Sequence, residues 1–235
     1  MTMNSEHSPE DLEQLYRARF AERAAYRQEV WAVLSRFFSR WIPPDSVVLD
    51  LGCGWCEFIN SAVCRRKFGM DLNPDAKRHA NPDVVILQQD CSEQWAVEGA
   101  SLDVVFTSNF LEHLPAKSAL QRTLQQAFRA LKPNGRFIAM GPNIKRVPGA
   151  YWDFFDHHLP LTELSLSEVL EKCGFQVELQ HARFLPYTMS RGRQYPAWML
   201  RVYLSMPFFW RLAGAQFLVV ARKPLAPEPA SVMQN

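Results

Sequence analysis

Short apolar runs alternate with helix-length segments through the middle of the 235-residue chain. Each run is rich in Val, Ile, Leu and Phe and ends beside an acidic or small polar residue, which is typical of buried strands in an open sheet. The alternation predicts a parallel sheet with right-handed crossovers, because strands joined through helices run in the same direction. The predicted strands cover residues 47–51, 67–71, 84–87, 102–106 and 136–140.

The pattern changes on both sides of this alternation. Apolar residues at helical spacing predict one helix near residues 12–20 and a second that ends before Pro43 and Pro44. Residues 175–179 and 217–221 predict an antiparallel pair of strands that closes the sheet.

Two local signals predict where later helices begin. Pro115 is expected to be the first residue of an amphipathic helix that ends near Lys132. Ser165 and Glu168 predict a capping box for a short helix that stops at Gly174.

These elements fit one domain over residues 11–223. Residues 1–10 and 224–235 are predicted to be disordered because they are polar or rich in Pro and Ala. The expected parts of the domain are N-terminal cap helices at 11–42, a cofactor-binding core at 45–141, an acceptor-side loop at 142–160 and an aromatic insert at 185–214.

The turn after the first predicted strand carries the strongest chemical signal. Gly52-Cys53-Gly54 breaks the strand, and a helical pattern starts at Glu57. Such a turn brings backbone N–H groups and a helix N-terminus against a ligand, and the preceding Asp50 can bind a cationic amine. The combination suits the zwitterionic end of an amino acid better than a pyrophosphate. Glu57 also occupies the position of the third glycine of a dinucleotide fingerprint, which disfavours a nicotinamide-dependent oxidoreductase.

Further polar residues follow the next strands. Asp71 lies about 20 residues after the turn, where open α/β sheets place a ribose-binding carboxylate. Asp90 ends the third predicted strand, and Asn109 follows the fourth. Ligands of parallel sheets bind at the carboxyl ends of strands, so all of these side chains are expected at one edge.

Five segments in this order resemble the motif set of class I S-adenosylmethionine-dependent methyltransferases, with the type 11 (ubiquinone/menaquinone-biosynthesis-like) group as the most similar branch. The segments are VLDLGCG, GMDLNPD, QQDCSE, LDVVFTSNFLEHL and LKPNGRFIAMGPN, and the resemblance covers residues 45–177. It implies an α/β fold with a Rossmann-like, doubly wound sheet of seven strands, six parallel and one antiparallel, with N-terminal helices and a helical insert before the last strand.

The resemblance also implies S-adenosylmethionine as cofactor and a set of residues that bind it. Asp50 with Gly52, Cys53 and Gly54 would hold the methionine end, Asp71 the ribose, and Asp90 with Cys91 the adenine. Leu72 and Asn109 complete the implied cofactor-binding set. The family often has a third glycine where this chain has Cys56.

Methyl transfer from a sulfonium depends on alignment, with a base if the acceptor is a hydroxyl. His113 follows the fourth strand, and Asp156 and His157 lie on an aromatic loop after the fifth. We expect these three residues to be catalytic, with Asp156 orienting a neighbouring imidazole; the alternative is a purely structural role for each. No metal site is predicted, because no further ligand cluster is apparent and Cys53-x-x-Cys56 has no second pair.

The aromatic insert has three interpretations: extra core, the wall of a substrate pocket or dimer interface, or a segment that lies on a membrane through residues 198–212. It is too short and too interrupted by charge to span a bilayer. Five cysteines in a chain with no signal peptide predict a cytoplasmic protein, with peripheral contact at the inner face of a membrane as an extension. The oligomeric state is left open.

The expected function is methyl transfer to a small-molecule or lipid- or glycan-linked acceptor, with oxygen as the favoured atom. A net charge of +2 and dispersed arginines indicate no nucleic-acid partner. Residues 108–111 also lack the Asn/Asp-Pro-Pro-Tyr/Phe run of enzymes that methylate amino groups of nucleic acids or glutamine. The alternatives are a non-catalytic Rossmann-like binding module and a nicotinamide-dependent oxidoreductase.

Overall fold

A computed structural model describes residues 9–187 and 194–225. Most of the two ends predicted to be disordered, and residues 188–193 of the aromatic insert, lie outside the described residues. The strands are β1 (Val47–Leu51), β2 (Arg66–Met70), β3 (Val84–Leu87), β4 (Leu102–Ser108), β5 (Leu131–Pro142), β6 (Gln176–His181) and β7 (Gln216–Arg222). The α-helices are α1 (Pro9–Phe20), α2 (Ala24–Phe38), α3 (Glu57–Ser61), α4 (Ala76–His79), α5 (Lys117–Ala130), α6 (Glu163–Lys172), α7 (Ala197–Ser205) and α8 (Pro207–Ala213).

The strands form one sheet in the order β3-β2-β1-β4-β5-β7-β6. β7 runs antiparallel to both β5 and β6, and the other neighbouring pairs are parallel. This arrangement confirms the predicted fold class, a Rossmann-like sheet with six parallel strands and one antiparallel strand. The chain leaves β1 toward β2 on one side and reaches β4 on the other, so β1 and β4 flank the switch point where such sheets bind ligands.

The sheet is buried on both faces. All five residues of β1 are buried, and their side chains alternate between two apolar layers. Leu49 and Leu51 pack with α5 and α6 on one face. Val48 packs with α2 on the other. This double burial explains why the strands read as continuous apolar runs, and it holds the polar strand ends rigidly at one edge.

Two helix starts differ from the predictions. α5 begins at Lys117 rather than Pro115, because Ala116 is extended at φ −155° and serves as the N-cap. α6 begins at Glu163, and its capping box pairs Thr162 with Ser165 rather than Ser165 with Glu168. Thr162 Oγ1 accepts from the Ser165 backbone N–H at 3.1 Å, and the Thr162 N–H donates to Ser165 Oγ at 3.0 Å. A serine hydroxyl thus replaces the glutamate expected in such a box.

The aromatic insert contributes partly to the core. Trp210 is buried against Phe37 and Phe184, with ring centroids 5.8 and 5.0 Å away. Trp198 and Phe208, in contrast, are 61% and 66% exposed. The interpretation as extra core therefore holds for only part of this segment. Among the described residues, no helix is both long and apolar enough to cross a membrane.

Candidate functional site

A cleft opens at the carboxyl ends of β1 and β4, beneath α1 and α2. It contains about 860 Å³ of atom-free space, including its solvent-open mouth. Residues from the glycine turn, from the end of β4 and from the loop before α6 line it together with the N-terminal helices. The lining residues are Tyr16, Arg19, Phe20, Arg27, Trp31, Asp50, Gly52, Cys53, Gly54, Glu57, Phe58, Phe106, Ser108, Asn109, Glu112, His113, Phe154, His157, Tyr187 and Gln216.

The glycine turn needs its glycines for both conformation and space. Gly52 and Gly54 have φ values of +71° and +51°, which side chains rarely adopt. A Cβ on Gly52 would lie 2.1 Å from Cγ of Phe110, and one on Gly54 would lie 2.8 Å from Cε1 of Tyr16. Aromatic rings therefore contact the turn directly at both glycines.

The expectation of bare N–H groups at this turn is wrong for three residues. The N–H groups of Gly52 and Cys53 donate to the Met70 carbonyl at 2.8 and 3.2 Å. The Gly54 N–H donates to Asp71 Oδ2 at 2.7 Å. These bonds fix the turn against the end of β2. The glycines therefore allow neighbouring groups to come close to the backbone, and their N–H groups are not available to a ligand.

Cys56 takes the left-handed conformation at the position where the resemblance implies a third glycine. Its φ and ψ are 61° and 19°, and it caps the N-terminus of α3. The side chain is fully buried, with Sγ 3.8 Å from Cys53 Sγ and 3.5 Å from the Ala76 carbonyl oxygen. The loop thus keeps a glycine-like backbone, although a residue with a side chain is strained in the left-handed conformation.

The inner wall of the cleft has an excess of carboxylates. Asp50 is buried there, and its burial, together with the charges of Glu57 and Asp71, raises its pKa well above the ordinary value. Glu57 is paired with Arg27 at 2.5 Å, and the Arg27 guanidinium lies 4.0 Å from the centre of the Phe20 ring. The Arg27 guanidinium is engaged by Glu57, and the charges that act on Asp50 come from two other acids, which favours a cationic ligand group beside Asp50.

The other predicted cofactor residues lie at the same sheet edge but differ in access. Asn109 lines the cleft and has a φ of +48°. Asp71 accepts N–H bonds from Gly54 and Asn73, and Asp90 accepts one from Ser92 at 2.7 Å. In the part of the chain that the structure describes, Asp71, Asp90 and Leu72 are not among the residues that line the cleft.

Cys91 is the predicted cofactor residue whose side chain points away from the cleft. Its Sγ lies 3.4 Å from Thr123 Oγ1 within the core beside α5. Burial raises the pKa of this thiol to about 12, so it stays protonated. A contact between Cys91 and a ligand would have to use its backbone.

The predicted catalytic residues meet at the other end of the cleft. His113 Nδ1 lies 2.9 Å from the Asp156 carbonyl oxygen and 3.2 Å from Asp156 Oδ2. Arg19 binds the same carboxylate through two hydrogen bonds of 2.6 and 2.9 Å. Burial alone would raise the pKa of Asp156, but the bonds from His113 and Arg19 hold it far below its ordinary value. Asp156 is therefore ionised and orients His113 rather than its neighbour His157.

His157 and Glu112 complete this end of the cleft. The His157 ring stacks on Phe154 with centroids 5.0 Å apart and meets the edge of His113 at 4.8 Å. Burial and the neighbouring His113 lower the pKa of His157 to about 4, so its imidazole is neutral. Glu112 is 2% exposed, and burial raises its pKa to about 7.

Arg19, Arg27 and Gln216 line the cleft but were not among the residues predicted from the sequence. Arg27 did carry a signal: Val30, Trp31 and Leu34 follow it on one helical face, so an arginine there had to be buried and paired. Arg19 gave no comparable signal, because its partner Asp156 lies 137 residues away.

The family model described as a methyltransferase domain matches residues 23–180. A protein of Mycolicibacterium smegmatis named "Probable S-adenosylmethionine-dependent methyltransferase" is 32% identical over 138 residues, which cover 56% of this chain and 52% of that protein. The chain spans about half the length of the curated relatives it matches.

Solved structures show the same fold. A Haloferax volcanii protein in complex with the Trm112 methyltransferase activator superposes with a TM-score of 0.67 at 18% identity, covering 92% of this chain and 98% of that one. A SAM-dependent methyltransferase of Archaeoglobus fulgidus gives 0.61 at 19% identity, covering 83% and 94%.

The chain belongs to the methyltransferase domain family, as its match over more than half of its length shows. The predicted class I family and its cofactor, S-adenosylmethionine, are thereby confirmed. The match is also consistent with the type 11 branch.

Proposed function

We propose that this chain transfers a methyl group from S-adenosylmethionine to a hydroxyl oxygen of a small or lipid- or glycan-linked acceptor. The observation that carries the proposal is that one cleft contains a buried carboxylate, Asp50, and an imidazole oriented by a carboxylate, His113 with Asp156. When bound, the cofactor supplies a methyl group attached to a sulfonium sulfur. The sulfur leaves as a neutral thioether, so no acid has to protonate the leaving group.

The inner end of the cleft fits the methionine part of the cofactor. Asp50 is buried with an excess of negative charge around it, so an ammonium group there would favour its ionised form. Asp71 already accepts two backbone N–H bonds, but each carboxylate oxygen has a second lone pair for a ribose hydroxyl. Asp90, Leu72 and the backbone of Cys91 are the corresponding candidates for the adenine.

The outer end of the cleft supports methylation at oxygen. His113 Nδ1 is engaged by Asp156, which leaves Nε2 as the nitrogen that can act on a hydroxyl. Phe154 lines the same cleft, stacked on His157, and can position an acceptor for in-line attack.

The expected membrane contact through residues 198–212 remains a prediction. Trp198, Phe208 and Leu212 are more than half exposed on α7 and α8, which supports a peripheral surface but equally suits a partner subunit. A lipid-linked acceptor would give this exposed surface a role at the membrane.

The proposal is tested by calorimetric titration of the purified protein with S-adenosylmethionine, with NAD as the control. Saturable binding of S-adenosylmethionine alone is expected, and His113→Ala should leave this affinity unchanged. Transfer of labelled methyl groups to a panel of phenols, sugars and lipid-linked glycans then tests the acceptor class. No cofactor binding by the folded wild-type protein would contradict the proposal and favour a non-catalytic module.

A further inference from the structure

The three cleft residues Glu112, His113 and His157 lie close enough to act as one ligand set. Each offers a ligand atom, and these atoms all lie within 4.8 Å of one another. Neighbouring ligands of a tetrahedral ion at about 2.1 Å stand about 3.4 Å apart, so side-chain rotations that close the longest separation by about 1.4 Å would bring all three into coordination distance. From this geometry we propose that Glu112, His113 and His157 form a binding site for a divalent transition-metal cation.

His113 has the hydrogen bonding that metal-binding histidines usually show. Its Nδ1 is held by both the carbonyl and the carboxylate of Asp156, which leaves Nε2 for an ion. A carboxylate on the far nitrogen fixes the ring's tautomer and orientation and makes the free nitrogen a better ligand. Arg19 in turn fixes the Asp156 carboxylate through two hydrogen bonds, so the residue that orients His113 is itself held in place.

His157 supplies an independent observation. The residue is only 6% exposed, yet its Nδ1 has no hydrogen-bond partner among the described residues. A buried polar nitrogen without a partner is costly and calls for an explanation. An ion held jointly with Glu112 and His113 would satisfy this nitrogen.

The backbone holds the two halves of the cluster together. The Glu112 carbonyl accepts hydrogen bonds from the N–H groups of His158 and Leu159 at 2.8 and 3.0 Å. The turn that carries Glu112 and His113 is therefore fixed to the loop that carries His157. A ligand set on rigid, mutually bonded segments needs little ordering when an ion binds.

The donor set indicates which cations would bind. Two imidazoles and one carboxylate suit Mn²⁺, Fe²⁺, Co²⁺ or Zn²⁺ better than Mg²⁺ or Ca²⁺, which prefer oxygen ligands. Three protein ligands also leave coordination positions open for an acceptor oxygen.

The cation deepens the proposed function and rests on it. With an ion bound, His113 Nε2 would serve as a ligand, and the cation would replace the imidazole as the group that activates the hydroxyl. A hydroxyl bound to the cation would lose its proton to water at neutral pH more readily than a free hydroxyl. Its oxygen would then form a bond to the methyl carbon while the carbon–sulfur bond breaks and its electron pair returns to sulfur. The acceptor would be a phenol, a diol or another oxygen compound able to bind through a metal.

The test uses the full-length protein, freed of metal with a chelator and titrated with CoCl₂ in the absence of cofactor. We expect one Co²⁺ per chain, with visible absorption bands of a nitrogen- and oxygen-ligated ion. Glu112→Gln and His157→Ala should each weaken binding at least about tenfold, and Asp156→Asn about 10- to 100-fold. His181→Ala is the matched control, because that ring packs against Trp210 and lies outside the cleft lining.

No saturable Co²⁺ binding by the wild-type protein would overturn the proposal, as would unchanged binding in both Glu112→Gln and His157→Ala. Thermal unfolding of each variant identifies any that fails to fold, and the remaining variant then decides. A separate titration with S-adenosylmethionine distinguishes the two proposals. Cofactor binding without Co²⁺ binding refutes the cation site alone, whereas Co²⁺ binding without cofactor binding refutes the methyltransferase proposal.

Discussion

Asp156 holds His113 through its carboxylate although the two residues are 43 positions apart in the chain. The next residue along the loop, His157, meets the same imidazole edge to face but does not share the carboxylate. The loop after β5 therefore makes two different contributions at adjacent positions: Asp156 orients an imidazole, and His157 adds a second, neutral imidazole to the cleft.

Asp156→Asn should lower the turnover number by about 10- to 100-fold, because it removes the charge that orients His113 and leaves one oxygen to serve both His113 and Arg19. The KM for S-adenosylmethionine should change less than about twofold, since the cofactor end of the cleft is built from other residues. Steady-state kinetics with the identified acceptor measure both quantities. Asp153→Asn, an exposed acid on the same loop, is the control; equal losses in both variants would refute an orienting role for Asp156.

The parallel sheet and its closing antiparallel pair follow from the sequence because alternating strands and helices admit few sheet arrangements, and burial of both faces gives each strand a continuous apolar run. The glycine turn was recognisable for a similar reason, since its conformation depends on a few local residues. Helix starts were less accurate: Pro115 and Ser165 both carry start signals, but the extended conformations of Ala116 and Thr162 decide the boundaries.

The acceptor end of the site could be predicted only as a set of separate candidates. His113, Asp156 and His157 were each recognisable from residue type and position after a strand. Their pairing was not, because it depends on how the loop returns to the turn after β4, where His158 and Leu159 bond to the Glu112 carbonyl. The same long-range contact creates the ligand cluster, which no spacing within the sequence reveals.

Cofactor affinity should fall as the pH is lowered, with Asp50 as the cause. Burial and the charges of Glu57 and Asp71 raise the pKa of Asp50 well above that of an ordinary aspartate. Below that raised pKa the side chain becomes neutral and loses its attraction for an ammonium group, so the dissociation constant should rise up to about tenfold per pH unit. Calorimetric titration across a pH series measures this effect. Asp50→Asn should bind weakly with little dependence on pH, and a slope as steep as that of the wild-type protein would rule out Asp50 as the group responsible.

Gly52→Ala should abolish measurable cofactor binding or unfold the turn. The new Cβ would lie 2.1 Å from Cγ of Phe110 at a φ of +71°, so both the ring and the backbone would have to move. Gly99→Ala is the matched control, because its φ is not positive and its nearest contact would be an ordinary 3.7 Å. Calorimetry with S-adenosylmethionine and thermal unfolding separate the two effects. Wild-type affinity in Gly52→Ala would show that the turn does not contact the cofactor.

Two substitutions at Cys56 should change stability to different extents. Cys56→Gly relieves a left-handed backbone at φ 61° but removes a fully buried side chain, so the free energy of unfolding should change by less than about 1 kcal/mol. Cys56→Val keeps the strain, adds β-branching and overfills the space beside Ala76, so it should destabilise the protein by more than about 2 kcal/mol. Urea denaturation measures both values. Equal effects of the two substitutions would mean that the conformation of Cys56 does not limit stability.

The Arg27–Glu57 pair should respond more strongly to the loss of one partner than to the loss of both. The pair is nearly buried, with a 2.5 Å contact in the wall of the cleft. Arg27→Met leaves an unpaired buried carboxylate and should cost about 3–5 kcal/mol of unfolding free energy. Arg27→Met combined with Glu57→Gln removes that charge and should recover at least about half of the loss, as a double-mutant cycle in urea would show. Additive losses would indicate that the two charges stabilise the fold independently, and Glu57 would then be free to contact the cofactor itself.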